Sequence, residues 1–328
     1  MEPANPRNDE IFEAVVEEEH ERLRLDVFLA EVIEDASRTF VKKLIKDGRV
    51  AVNGQACLKP ARTMTRGEQV AARIPPPPQI RLEPEDIPLE ILHEDADIVV
   101  VNKPSGLVVH PAPGHYGGTL VNAILHHCPD FQRPGGDPVR PGIVHRLDQY
   151  TSGVMVVAKT PRAHASLGEQ AAGHRFDRRY LALVRGEFRE QRGRIDATIG
   201  RSTADRKRMT VTGIRGKDAV TNFEVLERFG VASLVALQLE TGRTHQIRVH
   251  LRFAGRPVLG DPVYGVADFR DWRVPPETRR ALDALEGQAL HAELLGIDHP
   301  GTGEHMTFTA PPPADFLRAL AALRAETP

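Results

Sequence analysis

The chain has 328 residues, 41% of them hydrophobic, and a formal net charge of -2. That length suits two domains with real cores and excludes a disordered chain, while the near-neutral balance gives no global electrostatic sign of nucleic acid, so any RNA contact must come from local basic clusters. No apolar stretch reaches the length of a bilayer span and the start is acidic and polar, so the sequence predicts a soluble, cytoplasmic protein with no membrane contact. Its two cysteines, Cys57 and Cys128, lie far apart without C-x-x-C spacing and suggest neither a disulfide framework nor a thiolate metal site.

Residues 1–21 read as an N-terminal extension whose first eight residues form a polar tail. A compact unit follows over 22–74. A helical stretch runs from Asp26 to Ile33 and a second helix from Arg38 to Asp47, with Ser37 as N-cap and Gly48 as the stop. Val50 and Val52 alternate toward Asn53-Gly54, a strong hairpin signal. In the second helix Phe40, Val41, Leu44 and Ile45 share an apolar face. Arg38, Lys42, Lys43 and Lys46 share the other, with Arg49 just beyond. A solvated charged face is the plain reading of such cations; phosphate contact is the alternative.

The proline run Pro75–Pro78 cannot donate backbone hydrogen bonds and marks a linker over 75–84. From 85 to 328 short strands and helices alternate: a hairpin around Glu94–Asp97, a strand over Ile98–Val101, a helix from Thr119 to about His127. Lys103, Pro104 and Gly106 make a turn in VNKPSGLVVHP, and His110 sits near a Gly-rich loop, 114–118, that lacks phosphate-loop spacing. In PGIVHRLDQYTSGVMVVAKT, His145, Arg146 and Asp148 fall in a short polar loop. Thr151, Ser152 and Gly153 follow, and then the apolar run Val154–Ala158 reads as a buried strand. An acid is thereby held at a strand mouth, where chemistry is disproportionately found.

Further on, 163–172 reads as a helix and Arg179–Val184 as a strand carrying Tyr180. Basic residues outnumber acidic ones more than two to one between His174 and Lys217. Strands over 219–229 and 231–240 meet at Gly230. TGRTHQIRVHLRFAG then brings Arg243, His245 and a helix with Ile247, Leu251 and Ala254 at helical spacing and Arg248 and Arg252 one turn apart. GDPVYG, 260–265, is a turn, 288–300 ends in a strand and its exit, and a last helix starts after Pro313.

HRLDQYTSG followed by VMVVAKT resembles the catalytic signature of the RluA family of pseudouridine synthases, with Gln149 and Tyr150 standing where relatives usually carry a charged pair. VNKPSGLVVHP, LETGRTHQIRVHLRFAG, VLGDPVYG and QALHAELL resemble the family's remaining motifs, in the same order. The unit over 22–74 resembles the small RNA-binding module first described in ribosomal protein S-four, which implies RNA-backbone contacts by Arg38, Lys42, Lys43, Lys46 and Arg49. The resemblance implies an α+β fold: the module, then a catalytic domain with a mixed, largely antiparallel central sheet flanked by helices. It implies isomerisation of uridine to pseudouridine, with Asp148 acting at ribose carbon 1 of a flipped-out uridine, as nucleophile or as the base that starts a glycal elimination. Arg248 is then the cation that keeps Asp148 ionised. Tyr180 lies against the uracil face, suited to the late deprotonation at carbon 5. His145, Arg146, Arg243 and His245 contact RNA, with Arg146 filling the space the base vacates. No atoms are gained or lost, so no cofactor and no metal is implied. The module together with PVYG resembles the branch that acts on large-subunit (23S) ribosomal RNA, which implies a monomer working on an assembling large subunit.

Four rival readings remain. A sister synthase would modify other large-subunit or transfer-RNA uridines. An RNA-binding assembly factor would explain the basic helix but leaves HRLD and TGRTHQIRVH without a purpose. His145, Asp148 and Ser152 supply the residue types of a hydrolase triad, without a G-x-S-x-G elbow. His126, His127 and Cys128 suggest a metal site, but neighbours on a helix point in different directions.

Overall fold

The computed structural model describes residues 9–34, 36–75, 82–112, 115–202, 205, 208–213 and 216–326, in two compact units, 1–79 and 80–328. The expected tail, most of the proline run (76–78) and Gly114 lie outside the described residues.

The first unit contains β1 (Glu10–Val15), α1 (Leu25–Val32), α2 (Arg38–Lys46), β2 (Val50–Val52), β3 (Gln55–Ala56) and β4 (Gln69–Ile74). Its strands pair antiparallel in the order β1-β4-β2-β3. Ser37 Oγ accepts from the Phe40 amide and opens α2; Gly48, at φ +70°, closes it. Asn53 and Gly54, both at positive φ, turn β2 into β3. Leu25, Phe28 and Leu29 of α1 pack with Val41, Leu44 and Ile45 of α2 over Val50, Val52 and Val70.

Two departures have physical reasons. Phe40, expected on the buried face, is 36% exposed: Val41, Leu44 and Ile45, at i, i+3 and i+4, already fill the inward stripe, and Phe40 sits about 100° to its side. β1 lies in residues expected to carry no element, yet it pairs along its whole length with β4. Its inward positions are Phe12 and Ala14, while Ile11 and Val15 face out. Hydrophobes on both faces hide the alternation that marks a half-buried strand.

The second unit contains β5 (Glu90–Glu94), β6 (Ile98–Lys103), α3 (Leu120–His127), β7 (Ser152–Ala158), α4 (Pro161–Ala172), β8 (Asp177–Arg185), β9 (Arg192–Asp196), β10 (Ile199–Arg201), β11 (Met209–Val211), β12 (Val220–Arg228), β13 (Ala232–Leu239), α5 (Gln246–Phe253), α6 (Pro276–Asp283), β14 (Leu290–Asp298), β15 (His305–Thr309) and α7 (Ala314–Ala325). The main sheet runs β5-β6-β7-β14-β8-β13-β12-β9, with β15 also on β14. Every pairing in it is antiparallel except β7 with β14. The mixed, largely antiparallel sheet of an α+β fold is therefore present.

Side chains alternate cleanly across this sheet, so both faces are buried. Tyr180, Ala182 and Val184 of β8 and Val235 and Leu237 of β13 face the layer that holds α3 and α5. Leu181 and Leu183, with Leu234 and Ala236, face α6 and α7. Ile98 and Val100 of β6 and Val154 and Val156 of β7 face α4. The parallel contact is short, Ser152 and Gly153 against His291 and Ala292. Only glycine fits there: Gly153 has φ +117°, and a Cβ would run into the Ala292 carbonyl.

Candidate active site

The loop ahead of β7 is fastened from three sides. Thr151 Oγ1 accepts from Gln288 Nε2 at 3.1 Å, and Ser152 Oγ lies 2.9 Å from His291 Nδ1. From the end of β6, the fully buried Lys103 Nζ donates at 2.9 Å to the carbonyls of Pro104, Leu107 and Gln149. The Gly106 amide also donates to Gln149 O, and Ser105 Oγ to Tyr150 O. Burial pushes Lys103 down to about 7, against the pull of Asp148. Gln149 and Tyr150 are thus held through their main-chain carbonyls. With His291 on Ser152, the side chains of His145, Asp148 and Ser152 do not form a hydrolase triad.

Asp148 stands at the mouth of a cleft of about 610 Å³, in the range of sites that enclose one small ligand. Its carboxylate accepts from Arg248 Nη1 at 2.8 Å. Arg248, on α5, spends its other nitrogens on Asp261: Nε on Oδ2 at 2.7 Å and Nη2 on Oδ1 at 2.9 Å. Asp261 belongs to GDPVYG and also accepts from the Val263 and Tyr264 amides. Burial opposes the charge on both partners. The mutual hydrogen bonds and charges outweigh it, raising the arginine and lowering Asp261. Arg252, one turn on, is exposed and donates to Tyr264 O instead, so the two arginines do not act as a pair.

His245 sits at the start of α5 in the left-handed region, φ 56°. Its Nδ1 is 2.8 Å from Tyr264 Oη, and its Nε2 is 3.8 Å from Asp148 Oδ1. Tyr264 Oη accepts from the Met209 amide, so its own proton is free for Nδ1, and Nε2–H then faces Asp148. Burial lowers the His245 pKa, which favours this neutral form. Tyr180 is 7% exposed on the cleft wall. Burial raises its pKa, only partly offset by the charge of Arg178.

The expected RNA-contacting residues divide. Arg146 is exposed, 3.5 Å from His110 Nε2. Arg243 lines the cleft and donates from Nε to Asp218 O. His145 also lines the cleft, but its Nε2 accepts from the Val156 amide and its ring meets Phe176 edge-on. Burial pushes it down to about 3, so its polar capacity serves the fold. In the first unit the buried Asp26 gathers Arg24, Arg38 and Lys42 at 2.9, 3.0 and 3.6 Å. Arg49 pairs with Asp9 at 2.7 Å. Lys43 and Lys46, both exposed in the last turn of α2, have no ion pair among the described residues. Within the basic face of α2 they are the cations without an acid partner among the described residues.

The basic stretch 174–217 is less available than its composition suggests. Arg175, Arg179, Arg192, Arg194 and Arg208 all meet carboxylates. As for a metal, Glu94 joins His127 and Cys128 within 4.8 Å, whereas His126 turns away toward Asp86. Lys159 Nζ already sits 2.8 Å from Glu94 and supplies a positive charge there. Sequence reasoning missed Asp261, Tyr264 and the bond from Lys103 to the loop. GDPVYG reads as a turn and as part of a family motif, with no role given to its acid, although an acid inside a turn between glycines is the available signal.

A cleft lined by arginines and, among the described residues, by a single carboxylate, on a mixed sheet with a separate basic module ahead of it in the chain, suits an enzyme that works on RNA. Residues 97–253 match the family model described as RNA pseudouridylate synthase, and residues 23–70 match the S4 domain. The chain belongs to the RNA pseudouridylate synthase family and is an RNA pseudouridine synthase, an isomerase. It is 48% identical to the RNA pseudouridine synthase YlyB of Bacillus subtilis, over 94% of this chain and 96% of that one. It is 43% identical to ribosomal large subunit pseudouridine synthase D of Escherichia coli K12, over 95% and 94% respectively. Human RNA Pseudouridylate Synthase Domain Containing 1 shares the fold with 30% identity and a TM-score of 0.54, over 69% of this chain and 84% of that structure.

Proposed function

We propose that this synthase isomerises uridines of large-subunit (23S) ribosomal RNA and that Asp148 carries the chemistry. One observation supports the assignment above the others: among the described residues that line the cleft, Asp148 is the only carboxylate, amid Arg140, Arg146, Arg178, Arg243 and Arg248. Phosphates are drawn to the arginines, and a single anionic oxygen is left to act on the sugar. A uridine flipped into the cleft gives up its bond from ribose carbon 1 to base nitrogen while Asp148 either bonds to that carbon or removes the neighbouring proton. The freed base turns and its carbon 5 joins ribose carbon 1, as the bond from Asp148 to that carbon breaks or, on the elimination route, as the removed proton returns to the sugar; carbon 5 then loses its proton and the base nitrogen ends protonated. Arg248 orients the carboxylate, and neutral His245 offers it a second N–H.

The sequence reading gave that last proton to Tyr180. Its raised pKa keeps the phenol protonated, so we assign Tyr180 to the face of the base and the proton transfer to Asp148. Lys43 and Lys46 hold the RNA backbone from the module, with Arg38, Lys42 and Arg49 already engaged by acids. The substrate is the RNA of an assembling subunit in the cytoplasm, and the enzyme works as a monomer; the name of the Escherichia coli relative supports the RNA, and the S4 domain supports backbone binding. The test is to map pseudouridines in the ribosomal RNA of a deletion strain, with complementation by the parent gene and by Asp148→Asn. Large-subunit sites that vanish, return with the parent and stay absent with the variant are expected. Loss confined to transfer RNA would refute the substrate, and restoration by Asp148→Asn would refute the mechanism.

A further inference from the structure

Among the cations of the basic stretch, Arg178 is unlike its neighbours. It lies on β8 two residues before Tyr180, hence on the same face of the sheet, and both line the cleft. Adjacent Arg179 is tied to Glu293 at 3.3 Å, but Arg178 meets no carboxylate among the described residues. Its Nε is closed off from solvent without a hydrogen-bond partner. A guanidinium N–H in that state costs free energy unless something arrives to accept from it. The opposite wall is shaped to leave it room: Gly242, inside the TGRTHQIR motif, lies so close that a Cβ there would stand 3.0 Å from Arg178 Nη1. A side chain on residue 242 would crowd the guanidinium. Asp148 is held by Arg248 and does not reach Arg178.

We propose that Arg178 is a phosphate-binding residue of the cleft, taking a non-bridging oxygen of one of the two RNA phosphates that flank the flipped uridine. A guanidinium fits such a ligand through paired N–H donors, and a phosphate is the one anionic group that a nucleotide brings. The anion would also compensate the Arg178 charge beside Tyr180, so the phenol stays protonated once RNA is bound. This rests on the proposed site at Asp148 and adds the contact that holds the nucleotide's backbone while its base turns.

The test is a binding scan with the full-length protein and a stem-loop RNA whose loop carries one uridine, prepared with a neutral methylphosphonate at the linkage 5′ or 3′ of that uridine. With the parent, one of the two neutral linkages should weaken binding about tenfold, the scale of one charge-assisted hydrogen bond. Arg178→Ala should show the same loss on unmodified RNA, a salt dependence shallower by about 0.7 in slope, and no further loss with the neutral linkage. Arg178→Lys should recover part of the affinity, and it replaces the alanine variant in the scan should that one fail to fold. Equal losses for parent and variant at both linkages would overturn the assignment. So would unchanged binding in Arg178→Ala with a displaced alkaline limb of the single-turnover rate, which would give the cation to Tyr180 instead. Since the readout is affinity, a parent that bound RNA without isomerising it would refute the reaction and still score Arg178.

Discussion

Two buried charges organise this molecule, and they are built with opposite stoichiometry. Asp26 in the module is one acid among three cations, Arg24, Arg38 and Lys42, whose side chains are about half exposed. In the catalytic unit one buried cation, Arg248, lies between two acids, Asp261 and Asp148. The first cluster is net positive, so it adds to the field in which the neighbouring Lys43 and Lys46 meet a polyanion without reading its sequence. The second has a surplus of negative charge that emerges at a single point, Asp148, because Asp261 is saturated. The count of partners around a buried charge decides whether it recruits a ligand or arms a reactive group.

The largest effect expected of breaking that contrast is on rate. Asp148→Asn should lower single-turnover isomerisation by at least about 10²–10⁴-fold, the scale of losing a positioned acid or base, with melting temperature and RNA affinity nearly unchanged. A single-turnover assay on an unmodified, uridine-bearing stem-loop beside a thermal melt checks it. Next comes Arg248→Met, which strands Asp261 as a buried charge without its partner. About 3–5 kcal/mol should be lost from the catalytic unit, measured by denaturant unfolding, whereas Arg38→Met in the module should cost far less because its side chain is half exposed.

Acid should separate the two units. His145 and His245 have folded pKa values below that of a free histidine because burial opposes their charge. The unfolded chain therefore binds protons first, and stability of the catalytic unit is lost as pH falls from about 6.5 toward 3. In the module Asp26 is lowered: burial works against its charge, and the hydrogen bonds of Arg24 and Arg38 prevail. Its contribution is present above the unfolded value near 4 and disappears below it. Unfolding followed by hydrogen exchange should show the catalytic unit opening at the higher pH. Asp26→Asn should flatten the module's own acid limb. The smallest effect is on binding: Lys46→Glu should weaken affinity for long RNA and shallow its salt slope by about one unit. Lys42→Glu should do less to the slope, since Lys42 already faces Asp26.

Most of this was legible where local chemistry decides. Ser37, Gly48 and Asn53-Gly54 announce a helix and a hairpin because caps and turns act within a few residues. A polar loop that runs into an apolar strand places Asp148, and its role is implied only by the resemblance of HRLDQYTSG. Arg38 and Lys42 were read as free because Asp26 lies one helix away, and sequence periodicity is blind to what packs across a helix pair. The pairing of Arg248 with Asp148, 100 residues apart, is expected from the family resemblance alone, whereas Asp261, 13 residues beyond Arg248, carries no such mark and is brought in only by the tertiary fold. The RNA contact expected of His145 rests on its place in the loop, which says nothing of the Val156 amide that donates to its Nε2.

The short parallel contact of β7 with β14 has a consequence in time. Ser152 and His291 are 139 residues apart, and Thr151 waits likewise for Gln288. At roughly 5–20 residues per second of synthesis, about 7–28 s separate the two halves of that junction at the ribosome. Asp148 cannot be set at its strand mouth until the second half has emerged, so the nascent chain carries its RNA-binding module complete long before it carries a working active site.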